Sequence, residues 1–74
     1  MKIEIAGELR NFRIEVNREI ALVELCGGKW VATNTNGSVM MNFECEDRID
    51  AIMRVAKYLR GRSYVNELKP SRLG

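Results

Sequence analysis

Residues 12–43 read FRIEVNREIALVELCGGKWVATNTNGSVMMNF. Phe12, Ile14 and Val16 alternate with Arg13 and Glu15, the period of two expected of a half-buried strand. Turn signals follow at Asn17-Arg18, Gly27-Gly28 and Asn36-Gly37. The last is the strongest short hairpin signal, because both central residues of a type I′ turn need positive φ. Two-residue loops at all three sites pair Val16 with Glu19, Cys26 with Lys29 and Thr35 with Ser38. Phe12 then faces Val23, Leu25 faces Trp30, Trp30 faces Phe43 and Ala32 faces Met41. The same side collects Phe12, Ile14, Ala21, Val23, Leu25, Trp30, Ala32, Val39, Met41 and Phe43. A slip of one residue would turn a whole strand over. The agreement of three separate turns therefore predicts a four-stranded antiparallel β-meander.

Outward from this stretch the pattern changes twice. Ile3 and Ile5 alternate with Lys2, Glu4 and Ala6 as far as Gly7, which offers an additional N-terminal strand. From Asp47 the apolar period becomes helical, and Ile49, Ile52, Met53, Ala56 and Leu59 form one stripe. Asp47 is placed to cap this helix, with Asp50 three residues on. Glu46, Asp47 and Asp50 sit at its positive end, Lys57, Arg60 and Arg62 near its negative end. Asp50 and Arg54 form an i,i+4 pair. Gly61 reads as the stop, so the helix is predicted over about 47–61. Tyr64, Val65 and Leu68 supply a short strand or lie against the helix. The whole is an α+β fold in a single domain, residues 1–68, with the helix packed on one sheet face. Residues 69–74, which include Pro70, read as a frayed tail.

A chain of 74 residues is one small domain, and one of this size buries only about 60% of its unfolded surface. Hydrophobic residues make up 46% and charged residues 30%, a globular composition rather than a disordered one. There is no histidine, which excludes Ser-His-Asp, Cys-His and His-metal chemistry. Residues 1–50 hold six cations against nine acids, net −3, and residues 51–74 hold six cations against one acid, net +5. The basic patch this creates centres on Arg54, Lys57, Tyr58 and Arg62, suited to an acidic protein surface or to phosphate. The longest apolar run, Ile20-Ala21-Leu22-Val23, is far too short to span a membrane. With no signal peptide ahead of Ile3, the expected location is the cytoplasm, where Cys26 and Cys45 stay as thiols.

No catalytic set emerges, and no cofactor or metal is expected. The carboxylates are not brought together as a converging pair by the register. Gly27-Gly28-Lys29 lacks the spacing and the following helix of a phosphate loop. Cys45 lies near the helix start, where the dipole favours a thiolate, but it has no base beside it. The second sheet face is more informative. There Ile20, Leu22, Val31 and Met40 form an apolar patch that a single helix, already on the other side, leaves bare. Either a second copy covers it, giving a homodimer, or another protein does, or residues 2–6 or 63–68 fold across it.

Gly28-Lys29-Trp30, the hairpin after it, Phe43 and a helix containing Ala51 together resemble the sheet-plus-helix DNA-binding domains of the AP2 type and the arm-binding domains of phage integrases. In those families the sheet face away from the helix carries arginines and aromatics into the major groove. Here the corresponding positions are Val31, Thr33, Thr35, Met40 and Asn42, so no base-reading role is carried over. In size and in its lack of catalytic residues the chain is also similar to small phage-encoded inhibitors of host defence, anti-CRISPR proteins among them; this is a likeness of class. The expected function is that of a small non-enzymatic binding protein that occupies a surface of a larger macromolecule, in the manner of such an inhibitor within the host cytoplasm. Its expected partner is a protein, with no membrane. The alternative is a nucleic-acid-binding accessory module that uses the basic helix and tail; a small-nucleotide site in a dimer cleft is a third option.

Overall fold

The computed structural model describes residues 2–45 and 47–68, with the backbone alone for 64–68. Five strands follow one another, β1 (Ile3–Glu8), β2 (Asn11–Val16), β3 (Glu19–Cys26), β4 (Lys29–Thr33) and β5 (Val39–Phe43), and then one helix, α1 (Arg48–Leu68). Each strand pairs antiparallel with the next, so β1 and β5 are the sheet edges. The fold is α+β, and the N-terminal residues form a fifth strand. The expected tail, 69–74, and Glu46 beside the helix start lie outside the described residues.

Two of the three turns have the expected form. Asn17 and Arg18 take φ of 52° and 73°, Gly27 and Gly28 take 56° and 83°. Both central residues in the left-handed region are the mark of a type I′ hairpin, whose twist matches that of the strands. The registers Val16↔Glu19 and Cys26↔Lys29 follow.

The third hairpin departs from expectation. Its loop holds three residues, because Asn34 bonds to Ser38 through N–H···O at 2.9 Å and Gly37 N–H closes on Asn34 O at 3.0 Å. The Asn34 side chain explains the widening. Its Oδ1 accepts from the N–H of Asn36 at 2.9 Å and of Ser38 at 3.0 Å, an Asx-type arrangement that competes with the tight turn. Only Gly37 of the loop has positive φ, 89°. Trp30↔Phe43 and Ala32↔Met41 keep the expected register, but Thr33 pairs with Val39, leaving Met40 as an extra residue in a bulge. A bulge re-aims the side chains beyond it. Val39, expected in the core, is 59% exposed, and Met40, expected on the outer face, packs against the core cluster.

Phe12, Ile14, Val16, Ala21, Val23, Trp30 and Ala32 are buried on the helix side of the sheet. Phe12 and Trp30 meet edge-on with centroids 5.9 Å apart. The helix begins as expected: Asp47 Oδ1 accepts the Asp50 N–H at 2.7 Å, and Asp50 holds Arg54 at 3.4 Å. It does not stop at Gly61. Residues 63–68, expected as a strand or a cover for the outer face, continue it. Residues 2–6 do not cover that face either, since most of them belong to β1.

The helix is also rotated from the expected stripe. Ala51, Val55, Ala56, Leu59 and Ser63 are buried, while Ile49 is 72% and Met53 59% exposed. Two arginine contacts accompany this rotation. Arg48 lies 4.7 Å from the Phe12 ring centre and donates from Nε to Leu9 O at 3.1 Å. Near the other end, Arg62 reaches Glu19 at 3.8 Å. Positions 48, 51, 55, 59 and 62 share one face of a helix, so these contacts fall on the side that turns the small side chains Ala51 and Val55 toward bulky β2 and β3. The helix lies over those two strands and runs from the β1–β2 hairpin toward the β2–β3 turn.

Two glycines should respond in opposite directions to alanine. Gly7 has φ of 126°, and a Cβ there would lie 2.8 Å from Asn11 O and 2.9 Å from Phe12 Cα. Gly7→Ala should therefore cost at least about 2 kcal/mol. Gly61 is an exposed interior helical residue with nothing within 4 Å of a Cβ, so Gly61→Ala should stabilise by about 0.5–1 kcal/mol. Urea unfolding of the two variants measures both shifts.

Candidate interaction surfaces

The outer sheet face is built by the residues that alternate with the core. Ile20 and Leu22 come from β3, Val31 and Thr33 from β4, and Val39 from β5. Leu22 stands opposite Thr33, and Thr33 opposite Val39. Thr33 Oγ1 donates to Leu22 O at 3.4 Å, spending its polar atom within the sheet. Leu22 is 41% exposed, and Ile20 and Val31 are half-buried, Ile20 lining a pocket with Met40 and, from α1, Arg62. The sequence-predicted patch thus loses Met40 to the bulge and gains Val39 in its place. Arg13 and Glu15, paired at 3.0 Å, border it opposite Leu22 and Ile20.

The β1–β2 pairing also brings two carboxylates together, which the sequence reading did not expect. Glu4 and Glu15 stand directly opposite on the outer face. Each has a cation two residues earlier in the chain, Lys2 at 3.3 Å from Glu4 and Arg13 at 3.0 Å from Glu15. These bridges satisfy the pair electrostatically, in water, without a site between them.

Of the four residues expected as a basic patch, Arg54 and Lys57 line one groove together, while Tyr58 and Arg62 lie outside its lining. Arg54 is held by Asp50 and lies 5.4 Å from the Phe43 ring centre. Arg62 turns inward to Glu19. Lys57 and Tyr58 are exposed. Lys57 joins Arg60, which the sequence reading left out of the patch, along this groove of about 320 Å³ between β1 and α1. Ile3, Met53 and Ala56 contribute its apolar surface. The signal for Arg60 was present: it lies seven residues after Met53 and three after Lys57, on the same side of the helix.

Among the described residues, no three of His, Cys, Asp and Glu gather as metal ligands, and no helix is long and apolar enough to cross a membrane. No protein-family model, curated protein or solved structure matches the chain.

Both thiols titrate above the ordinary cysteine value. Partial desolvation comes first in each case; the Glu24 carboxylate adds to it at Cys26 and Asp50 at Cys45. The Cys45 thiol donates to Asp47 O at 3.3 Å, which ties it to the helix cap rather than activating it. The thiolate is the reactive form. Alkylation by iodoacetamide should therefore be slow at neutral pH for both, and should rise only at pH above the range of a free cysteine peptide. Mass-resolved alkylation rates across pH provide the check; either cysteine reacting at neutral pH faster than the free peptide contradicts this account.

Proposed function

We propose that this is a small non-enzymatic binding protein that works by occupying a surface of a larger macromolecule, and that it self-associates through the outer face of its sheet. The observation that carries the reading is the apolar strip Ile20, Leu22, Val31 and Val39, spread over three strands and left partly exposed among the described residues. Monomeric proteins seldom leave such a surface in water. Burying a side chain of this kind is worth roughly 1.5–3 kcal/mol, and a two-fold interface uses each residue twice. Set against several kcal/mol of association cost, the strip supports a homodimer of moderate affinity. Arg13 and Glu15 at one border and Glu24 at another give the pairing an orientation.

The biological setting attached to this reading is inhibition by occupancy, as practised by small phage-encoded inhibitors of host defence. Such a role needs a shaped surface and no reacting group. The second reading is a nucleic-acid accessory module, favoured by the excess of cations on the helix. With Arg54 and Arg62 paired to Asp50 and Glu19, the helix cations without an ion pair among the described residues are Arg48, Lys57 and Arg60, and of these Arg48 is turned to Phe12 and Leu9.

Sedimentation velocity over a concentration series tests the dimer. Leu22→Glu should convert it into a folded monomer with stability changed by no more than about 0.5 kcal/mol, as for an exposed position. A wild-type chain that stays monomeric throughout, and that loses stability on Leu22→Glu, would overturn the interface. For the second reading, DNA and RNA binding should fall steeply with salt through counterion release and vanish in the Lys57→Glu, Arg60→Glu double variant. Salt-independent association removes nucleic acid from consideration.

A further inference from the structure

The geometry points to the groove between β1 and α1 as a site for an extended acidic peptide, taken up as a sixth strand on β1. It is a second surface, independent of the outer face. Two features of the fold meet there. One is a free sheet edge, and the other is an apolar trough with two uncommitted cations on its rim.

The two edges of the sheet are not equivalent. β5 is broken by the bulge at Met40, a device that spoils an edge for further pairing. β1 has an uninterrupted register from Ile3 to Glu8 and no proline. Its outward backbone N–H and C=O groups form a ready template for strand addition. Beside it the helix does not close over the edge. Ile5 shares the helix side with Ile3, as its partner Ile14 shows, yet remains 41% exposed. Met53, 59% exposed, lines the groove beside this edge together with Ile3.

The trough is polar along its length. Because α1 runs from the Leu9 end to the Glu19 end, Met53 precedes Lys57 and Arg60 along the groove that all three line with Ile3. Neither Lys57 nor Arg60 makes an ion pair among the described residues. Met53 and Lys57 are separated by about 6 Å along the helix axis. That matches about two residues of a strand, whose same-side neighbours lie about 6.7 Å apart. An added antiparallel strand would therefore present an apolar side chain to Met53, and a carboxylate two residues later to Lys57 and Arg60. A second copy of β1 fits poorly, since its helix-side residues are Ile3, Ile5 and Gly7 and bring no acid to the cations.

The probe is the N-acetylated, C-amidated peptide Thr-Val-Thr-Val-Thr-Glu-Thr, titrated into the full chain with nitrogen-15 amide shifts as the readout. Binding should perturb β1 and the helix at Met53, Ala56, Lys57 and Arg60. Replacing its Glu by Lys should weaken binding at least about tenfold, and the Lys57→Glu, Arg60→Glu double variant should reverse that preference. N-methylation of one alternate set of peptide nitrogens should abolish binding while the other set leaves it intact, because only one set faces β1. The proposal is overturned by any of four results: no binding at millimolar peptide, equal effects of both methylated sets, no reversal of preference, or shifts confined to the Leu22 face. Protection of β1 amides that rises with protein concentration in the absence of peptide would assign the edge to a second copy and overturn it as well.

Discussion

Phe12 is the point at which the sheet, the helix and both surfaces are tied together. Its ring is buried against the edge of Trp30 from one side and carries the Arg48 guanidinium on its face from the other. A cation over a partly desolvated ring contributes about 1–2 kcal/mol. The same guanidinium bonds Leu9 O in the neighbouring hairpin. One side chain thus anchors the first turn of the helix to two strands. Once that turn is oriented, the helical period dictates the rest: Ala51, Val55 and Leu59 face inward, and Ile49 and Met53 face out.

This rotation looks unfavourable when apolar residues alone are considered, since it exposes an isoleucine and a methionine. It is explained by shape. The sheet already contributes Phe12, Ile14, Val23 and Trp30, and a second layer of large side chains would hold the helix away. Small residues at 51, 55 and 56 allow close approach, and close packing rewards every atom in contact. The displaced Met53 then lines the groove beside the edge strand, which is why the groove and the free edge coincide.

A single helix cannot cover both faces of a five-stranded sheet. The partly exposed outer strip and the open β1 edge both follow from that shortage of covering structure, and a thin core of this size gains from any partner that supplies it. The bulge in β5 has the opposite effect. It removes Met40 from the outer strip, places Val39 there, and closes one of the two edges to pairing.

The strand order, the antiparallel meander and the registers through Trp30↔Phe43 were legible in the sequence, because Asn17-Arg18 and Gly27-Gly28 are turn pairs with their own backbone preference. The helix start was legible for the same reason, as Asp47 bonds a donor three residues away. Local chemistry decides such features. The loop at Asn34 was local too, but two local signals competed there, and the Asn34 carboxamide prevailed over Asn36-Gly37. What tertiary structure alone decided was the rotation of the helix and its passage through Gly61. Both go with contacts between residues far apart in sequence: the small side chains at 51, 55 and 56 against β2 and β3, and Arg48 with Phe12 and Leu9 and Arg62 with Glu19, at least 36 positions away. Hydrophobic periodicity counts an arginine as solvent-facing, whereas a guanidinium with a ring and a carbonyl within reach can belong to the packed face of a helix, and so change which apolar side chains are left for binding.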